Sequence, residues 1–280
     1  MPFVSPKKSL SQNFLRDENI ARKIVAAVNP TSEDVLVEIG SGHGVLTKYL
    51  YNRVKHFLAF EIDERVMEEL KQQFSSPTSE FFLQDFLQTD LKKIFETYSS
   101  PLRVVGNIPY NITSPILFKM FDEQENIISD VTIMMQLDVA QRLIAKPRTK
   151  AYGILSVFAQ YYCPDKSGLK LLFNVAPGCF YPKPTVQSAI VQLRFKKNKL
   201  NVHNEKIFRT TVRTAFGKRR KILSNALKYF PIEETLMKEF LLNTKIPLNV
   251  RPEELSVEDF VHLSNDISHF ISEATPITES

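Results

Sequence analysis

The sequence has little cysteine and no long apolar run, and both absences narrow what the protein can be. Its 280 residues include two cysteines, Cys163 and Cys179, which do not form a metal-ligand pattern. We therefore expect no metal site. A disulfide between them is possible in principle, but two buried thiols in a cytosolic chain are the more economical interpretation. No apolar run approaches the length of a membrane span.

The N-terminus also lacks a targeting signal. Residues 1–8 read MPFVSPKK, without the apolar core of a secretory signal or the long Arg-rich and Ser-rich character of a transit peptide. Apolar residues make up 43% of the chain and charged residues 24%, as is ordinary for a globular protein. We expect a cytoplasmic protein, and a monomer because no apolar stripe suggests a dimer.

Positive charge is concentrated in one block. The net charge is only +5, but the segment between Arg194 and Lys228 has Glu205 as its only acid. From it we select as candidate RNA contacts Lys206, Arg209, Arg213, Lys218, Arg219, Arg220 and Lys221. A polyanion such as nucleic acid is the natural partner. The plainer alternative is a solvated helical face.

Four successive predicted strands end in glycine or polar groups. Residues 34–39 are followed by Gly40-Ser41-Gly42-His43-Gly44 and a helix, a unit typical of nucleotide-binding folds. The next three strands end at Glu61, Asp85 and Asn107. The carboxyl ends of parallel strands meet at one edge of an α/β sheet, so these groups should line one crevice.

The spacing in this region indicates what the crevice could bind. Glu61 lies 21 residues after Gly40, the distance at which an acid reaches ribose hydroxyls. The glycine pattern is G-x-G-x-G rather than G-x-G-x-x-G, which disfavours a dinucleotide. Asp85 can accept a hydrogen bond from an adenine amine, and Phe86 can cover the ring.

The stretch Asn107-Ile108-Pro109-Tyr110 places an amide, a proline and an aromatic ring at a strand end. The Asn107 oxygen and the Pro109 carbonyl can accept from an exocyclic amine, while Tyr110 stacks on the base. Phe180, in a proline-stiffened loop, is a candidate second stacking face. Two plainer interpretations stay open: a strand end with a packed tyrosine, and a Phe180 that belongs to the core.

The composition shifts near residues 196–199, and we place a domain boundary there. Residues 1–197 should form the α/β domain, closed by two late strands that pair antiparallel at one edge. Residues 198–280 should form a small all-α domain with a basic stripe, which looks like a clamp for a phosphate backbone.

Five blocks together resemble the adenine-N6 dimethyltransferases of ribosomal RNA. They are Gln12–Leu15, Val37–Gly44, Asn107–Tyr110, Phe180–Ser188 and Lys218–Asn225. Within the family, the sequence looks like the bacterial small-subunit enzymes of the kasugamycin-sensitivity (KsgA) type. The resemblance runs from residue 8 to about residue 260, nearly the whole chain.

The resemblance implies a Rossmann-like class I methyltransferase sheet and S-adenosylmethionine as methyl donor. It implies that the donor is held by Gln12, Asn13, Leu15, Gly40, Gly42, Glu61, Ile62, Asp85, Phe86 and Asn107. It also implies that the substrate is a pair of adjacent adenosines in a loop near the 3′ end of small-subunit ribosomal RNA. Asn107, Pro109, Tyr110 and Phe180 would act on the base.

Other functions fit these residues less well. An erythromycin-resistance-type enzyme acting on large-subunit RNA is the nearest alternative, and residues 114–118, 151–156 and 251–256 favour the small-subunit branch. A non-catalytic ribosome-assembly factor would be expected to have lost part of the Asn107–Tyr110 stretch or Glu61. A second role as a checkpoint in ribosome biogenesis stays open. A dehydrogenase does not fit the glycine pattern, and DNA methylation does not account for the remaining blocks.

Overall fold

The structure is a computed structural model that describes residues 5–7, 10, 12–124, 126–165, 167–196, 200–218, 220–244 and 246–274. The chain divides into two compact units. The first comprises Met1–Ala140 with Asp165–Lys196, and the second Gln141–Pro164 with Lys197–Ser280. The later boundary lies one residue from the predicted one. Residues 141–164, however, cluster with the second unit, although the sequence placed them in the first.

The first unit contains all nine strands found among the described residues. In chain order its elements are β1 (Phe14–Leu15), α1 (Glu18–Val28), β2 (Val35–Ile39), α2 (Thr47–Leu50), β3 (His56–Glu61), α3 (Glu64–Phe74), β4 (Ser79–Leu83), α4 (Leu91–Tyr98), β5 (Leu102–Asn107), α5 (Thr113–Glu123), β6 (Ile128–Gln136), β7 (Leu169–Val175), β8 (Phe180–Tyr181) and β9 (Ser188–Arg194). Helix α6 (Leu137–Leu143) runs on into the second unit.

Seven strands form one sheet in the order β4-β3-β2-β5-β6-β9-β7. The first five are parallel, while β9 and β7 are antiparallel to their neighbours. Ile39 pairs with Phe60 on one side and with Gly106 on the other. The neighbouring strands β3, β2 and β5 therefore end at about the same height in the sheet, so the loops that follow them begin side by side. The parallel sheet and its antiparallel edge pair confirm the predicted α/β fold.

Helix α1 and one partly buried arginine hold together the end of this sheet where the parallel strands begin. The Asp17 side chain caps α1 by accepting from the backbone N–H groups of its first turn. Arg103 of β5 lies 2.6 Å from Asp34 and 2.7 Å from Asp130, and it also donates to the carbonyl of Val28. This network joins α1, β2, β5 and β6 away from the carboxyl ends of the strands.

A second, two-stranded sheet was not predicted. Strand β1 pairs antiparallel with β8, with Phe14 opposite Tyr181 and Leu15 opposite Phe180. Leu15 and Phe180 are both buried in the main hydrophobic cluster of the first unit. The N-terminal segment is thereby fixed to the loop that precedes β9.

The second unit is helical in the part that the structure describes. Its helices are α7 (Ile154–Tyr162), α8 (Glu205–Gly217), α9 (Leu223–Leu227), α10 (Glu234–Asn243) and α11 (Val257–Ala274). The predicted apolar face of α8 is buried, with Phe216 stacked near Phe260 at a ring distance of 5.6 Å. None of the described helices combines the length and the apolar character that crossing a membrane requires.

Candidate active site

A cleft lies at the carboxyl edge of the parallel strands. It is lined by every residue that the sequence assigned to the cofactor: Gln12, Asn13, Leu15, Gly40, Gly42, Glu61, Ile62, Asp85, Phe86 and Asn107. Pro109 and Tyr110 also line it. The strand ends explain part of this convergence, because the cleft residues numbered from 40 to 107 lie at or just after the carboxyl ends of β2 to β5, which share one edge of the sheet.

Glu61 links the glycine loop to the end of β3. Its carboxylate accepts from the backbone N–H of Gly42 at 3.1 Å, of Ile62 at 2.9 Å and of Asp63 at 3.0 Å. Burial raises the pKa of Glu61, and these three donors oppose that rise. A carboxylate has about four acceptor positions. One position on Glu61 therefore remains for a further donor, such as a hydroxyl group.

Gly42 has a backbone conformation and a neighbour that only glycine tolerates. Its φ is +52°, in the left-handed region. A Cβ at this position would lie 2.9 Å from Cδ1 of Phe14. The Phe14 ring also contacts His43 at a centroid distance of 4.4 Å. The glycine loop and the N-terminal segment therefore pack closely against each other at the cleft.

Glu38, in β2, is a buried acid that the sequence did not single out as part of the site. It lines the cleft and is 1% exposed. The Thr47 hydroxyl donates to its Oε2 at 2.6 Å. Burial raises the pKa of Glu38 to about 8, although the hydrogen bond from Thr47 acts in the opposite direction. Glu38 therefore retains its proton at neutral pH.

Asp63 holds the N-terminal segment at the cleft, and sequence reasoning missed it. Arg65 donates to both of its oxygens at 3.0 and 2.7 Å. Gln12 donates to Oδ2 at 3.2 Å, and Lys7 lies 3.5 Å from Oδ1. Chiefly because of Arg65, the pKa of Asp63 falls to about 2. No local sequence signal identifies Gln12 and Lys7 as partners of Asp63, because they lie 51 and 56 positions from it.

Asp85 and Phe86 lie where β4 ends. Oδ1 of Asp85 caps a short 3₁₀ turn by accepting from Leu87 N at 2.9 Å. Its Oδ2 accepts no hydrogen bond from the described residues. Phe86 is 3% exposed and packs edge-on against Phe60. Together they provide an acceptor beside an apolar wall.

The Asn107 amide is oriented by the N-terminal segment. Its Nδ2 donates to the backbone carbonyl of Asn13 at 3.0 Å. This bond uses the donor end of the amide and leaves Oδ1 as the acceptor. Among the described residues nothing donates to that oxygen. A hydrogen-bond acceptor of fixed orientation therefore lies in the cleft.

The Pro109 carbonyl does not fit its predicted role. It already accepts from Ile112 N at 3.2 Å and from the Thr113 hydroxyl at 3.4 Å. The Ile108 carbonyl, by contrast, accepts from none of the described residues and directly follows Asn107. The short 3₁₀ helix that begins at Tyr110 causes this difference, because its first turn draws in the Pro109 carbonyl. The second acceptor is thus better assigned to Ile108.

The two predicted stacking residues have different environments. Tyr110 is half-buried, and its hydroxyl lies 2.5 Å from the Ser188 hydroxyl, which fixes the ring beside the cleft. Burial raises the pKa of Tyr110. Phe180 is 5% exposed, belongs to the core cluster with Leu15, and does not line the cleft. In this conformation Phe180 is a core residue and presents no stacking face.

The basic residues of the second unit also differ among themselves. Lys206, Arg213, Lys218, Arg220 and Lys221 are exposed. Arg209 instead donates to the Tyr162 hydroxyl at 2.8 Å and lies 3.7 Å from Glu205. It is therefore part of the packing between α7 and α8. Arg219 lies outside the described residues.

The cleft fits a cofactor that contains an adenosine. Glu61 has one acceptor position left for a ribose hydroxyl, and Asp85 Oδ2 is an acceptor beside the wall formed by Phe86. A Cβ at Gly40 would lie 3.3 Å from the Asn107 carbonyl, so the glycine lets the backbone segments approach closely. In the described part of the chain, no three His, Cys, Asp or Glu side chains are grouped to hold a metal.

A family model described as ribosomal RNA adenine dimethylase matches residues 4–269. The chain belongs to the ribosomal RNA adenine dimethylase family. This membership confirms the predicted enzyme class, an S-adenosylmethionine-dependent rRNA adenine dimethyltransferase, and its methyl donor.

Individual relatives agree with the family. The chain is 38% identical over 271 residues to "Ribosomal RNA small subunit methyltransferase A" of Caldanaerobacter subterraneus subsp. tengcongensis, covering 95% of this chain and 99% of the relative. It is also 38% identical over 268 residues to the protein of the same name from Francisella tularensis, covering 94% and 97%.

Two solved structures resemble the chain over most of its length. A dimethyladenosine transferase from Plasmodium falciparum matches with a TM-score of 0.74 at 24% identity, covering 93% of this chain and 98% of that one. The 23S rRNA methyltransferase ErmE matches with a TM-score of 0.62 at 25% identity, covering 91% and 100%. Both support the predicted fold.

Proposed function

We propose that this enzyme dimethylates the N6 amines of two adjacent adenosines in a loop near the 3′ end of small-subunit ribosomal RNA. The names of the 38% identical relatives support the small subunit as substrate. The observation that carries the proposal is the fixed Asn107 amide, with its oxygen as acceptor at the edge of the cleft. An exocyclic amine is the group that such an acceptor would bind.

The hydrogen-bond acceptors and the apolar wall of the cleft suit S-adenosylmethionine. Glu61 would accept from a ribose hydroxyl, and Asp85 would accept from the adenine amine next to Phe86. Asn13 and Leu15 of the N-terminal segment would hold its methionine part. When bound, S-adenosylmethionine supplies a methyl group made electrophilic by its positively charged sulfur.

Asn107 and Ile108 make the target amine a better nucleophile by accepting hydrogen bonds from it. An adenine amine is a poor nucleophile because its lone pair is delocalised into the ring. Hydrogen bonds from its two hydrogens to Asn107 Oδ1 and to the Ile108 carbonyl favour a pyramidal nitrogen with its lone pair directed away from the ring. Most of the rate enhancement then comes from holding the reacting atoms in line.

Tyr110 holds the base in place for this step. Its ring is fixed by the hydroxyl contact with Ser188, and stacking a base on an aromatic ring contributes roughly 1–3 kcal/mol. The proposed step needs no dedicated general base, because the methylated ammonium is acidic enough to lose its proton to water. Glu38 and Glu61 therefore have no proton-transfer role in this step.

The exposed basic residues of the second unit bind the RNA backbone. Lys206, Lys218 and Lys221 are exposed cations in a region with little opposing charge. Such contacts give affinity without reading sequence. We further propose that the substrate is a partly assembled small subunit, met by a monomeric enzyme in the cytoplasm where subunits are built.

Methyl transfer to isolated ribosomal subunits tests the proposal. Small and large subunits that lack the modification are incubated with labelled S-adenosylmethionine, digested to nucleosides and analysed by mass spectrometry. We expect dimethyladenosine from small subunits alone. Label in large subunits would select the erythromycin-resistance type of activity, and binding without label on either would leave only an assembly factor.

A further inference from the structure

The two-stranded sheet β1–β8 has two faces with different pairs of side chains. In an antiparallel pair, directly opposed side chains lie on the same face. Leu15 and Phe180 are opposed and buried in the core. Phe14 and Tyr181 are therefore opposed on the other face, and Phe14 lines the cleft. Of the two aromatic residues of this loop, Phe180 belongs to the core and Tyr181 is exposed.

Tyr181 and Arg16 form an exposed aromatic–cation pair on this face. Tyr181 is 47% exposed, a high value for a large aromatic side chain. The Arg16 guanidinium carbon lies 4.1 Å from the centroid of the Tyr181 ring. The backbone of Arg16 is itself fixed, because its N–H donates to the Cys179 carbonyl at 2.8 Å. A rigid aromatic group with an adjacent positive charge suits a base and its phosphate.

The pair lies next to the residues that act on the target base. Asn107 donates to the carbonyl of Asn13, and the next residue in the chain, Phe14, is the strand partner of Tyr181. Paired Cα atoms in an antiparallel sheet are only about 4.5–5.5 Å apart. A nucleotide on this platform would thus be a close neighbour of the adenosine held by Asn107, rather than a distant part of the RNA.

We infer that Arg16 and Tyr181 bind the nucleotide adjacent to the target adenosine, the base stacking on the pair and the phosphate contacting the guanidinium. This inference rests on the proposed function, and it adds to it a site for the second base. It also explains how an enzyme can act on one of two neighbouring adenosines: one enters the cleft while the other is held on the platform.

The test combines protein variants with a change in the RNA. Transfer to unmodified small subunits is compared with transfer to subunits whose rRNA carries uridine in place of the adjacent adenosine, since a pyrimidine offers less area for stacking. For wild-type enzyme we expect the substitution to lower kcat/KM severalfold. Tyr181→Ala should lower kcat/KM on the unmodified subunits roughly 10-fold, in the range expected for loss of one base–aromatic stack, and should show little further loss with uridine.

Matched variants separate stacking from folding. Tyr181→Phe retains the ring and should stay within about twofold of wild type, whereas Arg16→Gln should lose severalfold. Leu242→Ala, which removes the most exposed apolar side chain among the large hydrophobic residues described, should change nothing. Binding of S-adenosylmethionine and Tm should be unchanged in all four variants.

The outcomes distinguish this inference from the proposed function. Suppose that wild type methylates small subunits and Tyr181→Ala has the same kcat/KM as wild type on both RNAs. The platform is then wrong while the proposed function stands. The same conclusion follows if the uridine substitution lowers kcat/KM by the same factor in Tyr181→Ala as in wild type. If wild type transfers no methyl group to small subunits, the proposed function fails, and the platform fails with it.

Discussion

The side-chain amide nitrogen of Asn107 lies 3.0 Å from the backbone carbonyl oxygen of Asn13. This contact joins the end of β5 to the N-terminal segment across 94 positions of the chain. It orients the amide, so its oxygen faces an incoming amine as an acceptor. The N-terminal segment is therefore part of the active site, since it determines how Asn107 is presented.

Asn107→Ala should abolish most methyl transfer. The variant loses the acceptor that positions the target amine, and misplacement of a reacting group costs roughly 100-fold in rate. Single-turnover transfer to unmodified small subunits measures this loss, with RNA affinity determined in parallel. We expect RNA affinity within about twofold of wild type. Near-normal turnover would show that Asn107 does not hold the amine.

Asp63→Asn should weaken cofactor binding without changing turnover at saturating cofactor. The change removes the charge that holds Arg65 and Lys7, and so loosens the N-terminal segment. We expect the Kd for S-adenosylmethionine, from calorimetry, to rise roughly 10-fold, or about 1.4 kcal/mol. Glu64→Gln changes the adjacent exposed acid and is the control. Equal affinities in the two variants would rule out this role of Asp63.

Asp63 should also contribute to acid stability. Its pKa is about 2, below the ordinary value of 3.8, so its stabilising effect is present above pH 3.8 and is lost as the pH falls from 3.8 to 2. The difference in unfolding free energy between wild type and Asp63→Asn should therefore shrink over that interval. A difference that stays constant down to pH 2 would contradict the assignment.

Sequence patterns were sufficient for the sheet and for most of the cleft. Glycine or polar groups at four strand ends predicted the crevice, because parallel strands carry such groups to one edge whatever the loops do. Contacts between distant segments were not predictable. The link from Gln12 to Asp63 depends on where the N-terminal segment lies, and no local pattern encodes that.

The environments of some single residues were also not predictable from the sequence. Phe180 and Tyr181 are adjacent aromatic residues, and only the pairing of β8 with β1 shows that Phe180 faces the core. Strand alternation puts neighbours on opposite faces, so an error of one position reverses the conclusion. Arg209 was likewise grouped with exposed cations, although its partners Tyr162 and Glu205 fix it in the packing.

Gly42→Ala should impair both the fold and the site. The substitution forces φ of +52° on a residue with a Cβ, which costs about 1–2 kcal/mol, and places that Cβ 2.9 Å from the Phe14 ring. We expect a lower Tm and weaker binding of S-adenosylmethionine. The double variant with Phe14→Leu should recover part of the binding, because the clash is relieved while the backbone strain stays. Identical binding in the single and double variants would exclude the clash.

Glu38→Gln should stabilise the protein at alkaline pH. Glu38 has a pKa of about 8 when folded and 4.5 as a reference. Between these values the unfolded chain releases a proton that the folded chain keeps, so stability falls as pH rises. Glutamine keeps an acceptor for Thr47 without this penalty. Tm at pH 8.5 should exceed that of wild type by at least about 2–4 °C, the effect of about 1 kcal/mol.

The same comparison at pH 5 should give a much smaller difference, because pH 5 lies just above the reference value of 4.5 and little of this penalty has accumulated there. Glu33→Gln, which changes an exposed acid two positions before β2, is the control and should have parallel profiles. A difference between wild type and Glu38→Gln that does not grow with pH would show that the folded protein ionises Glu38 readily.

Two cations on helix α8 should respond in opposite ways when neutralised. Lys206 is exposed, whereas Arg209 donates to Tyr162 and pairs with Glu205. Lys206→Gln should weaken binding to small subunits and reduce the slope of log K against log salt by about 1, as loss of one phosphate contact does, with Tm unchanged. Arg209→Gln should lower Tm by about 2–4 °C and leave that slope alone. If Arg209→Gln instead flattened the slope at constant Tm, Arg209 would be an RNA contact after all, and its bonds to α7 would break on binding.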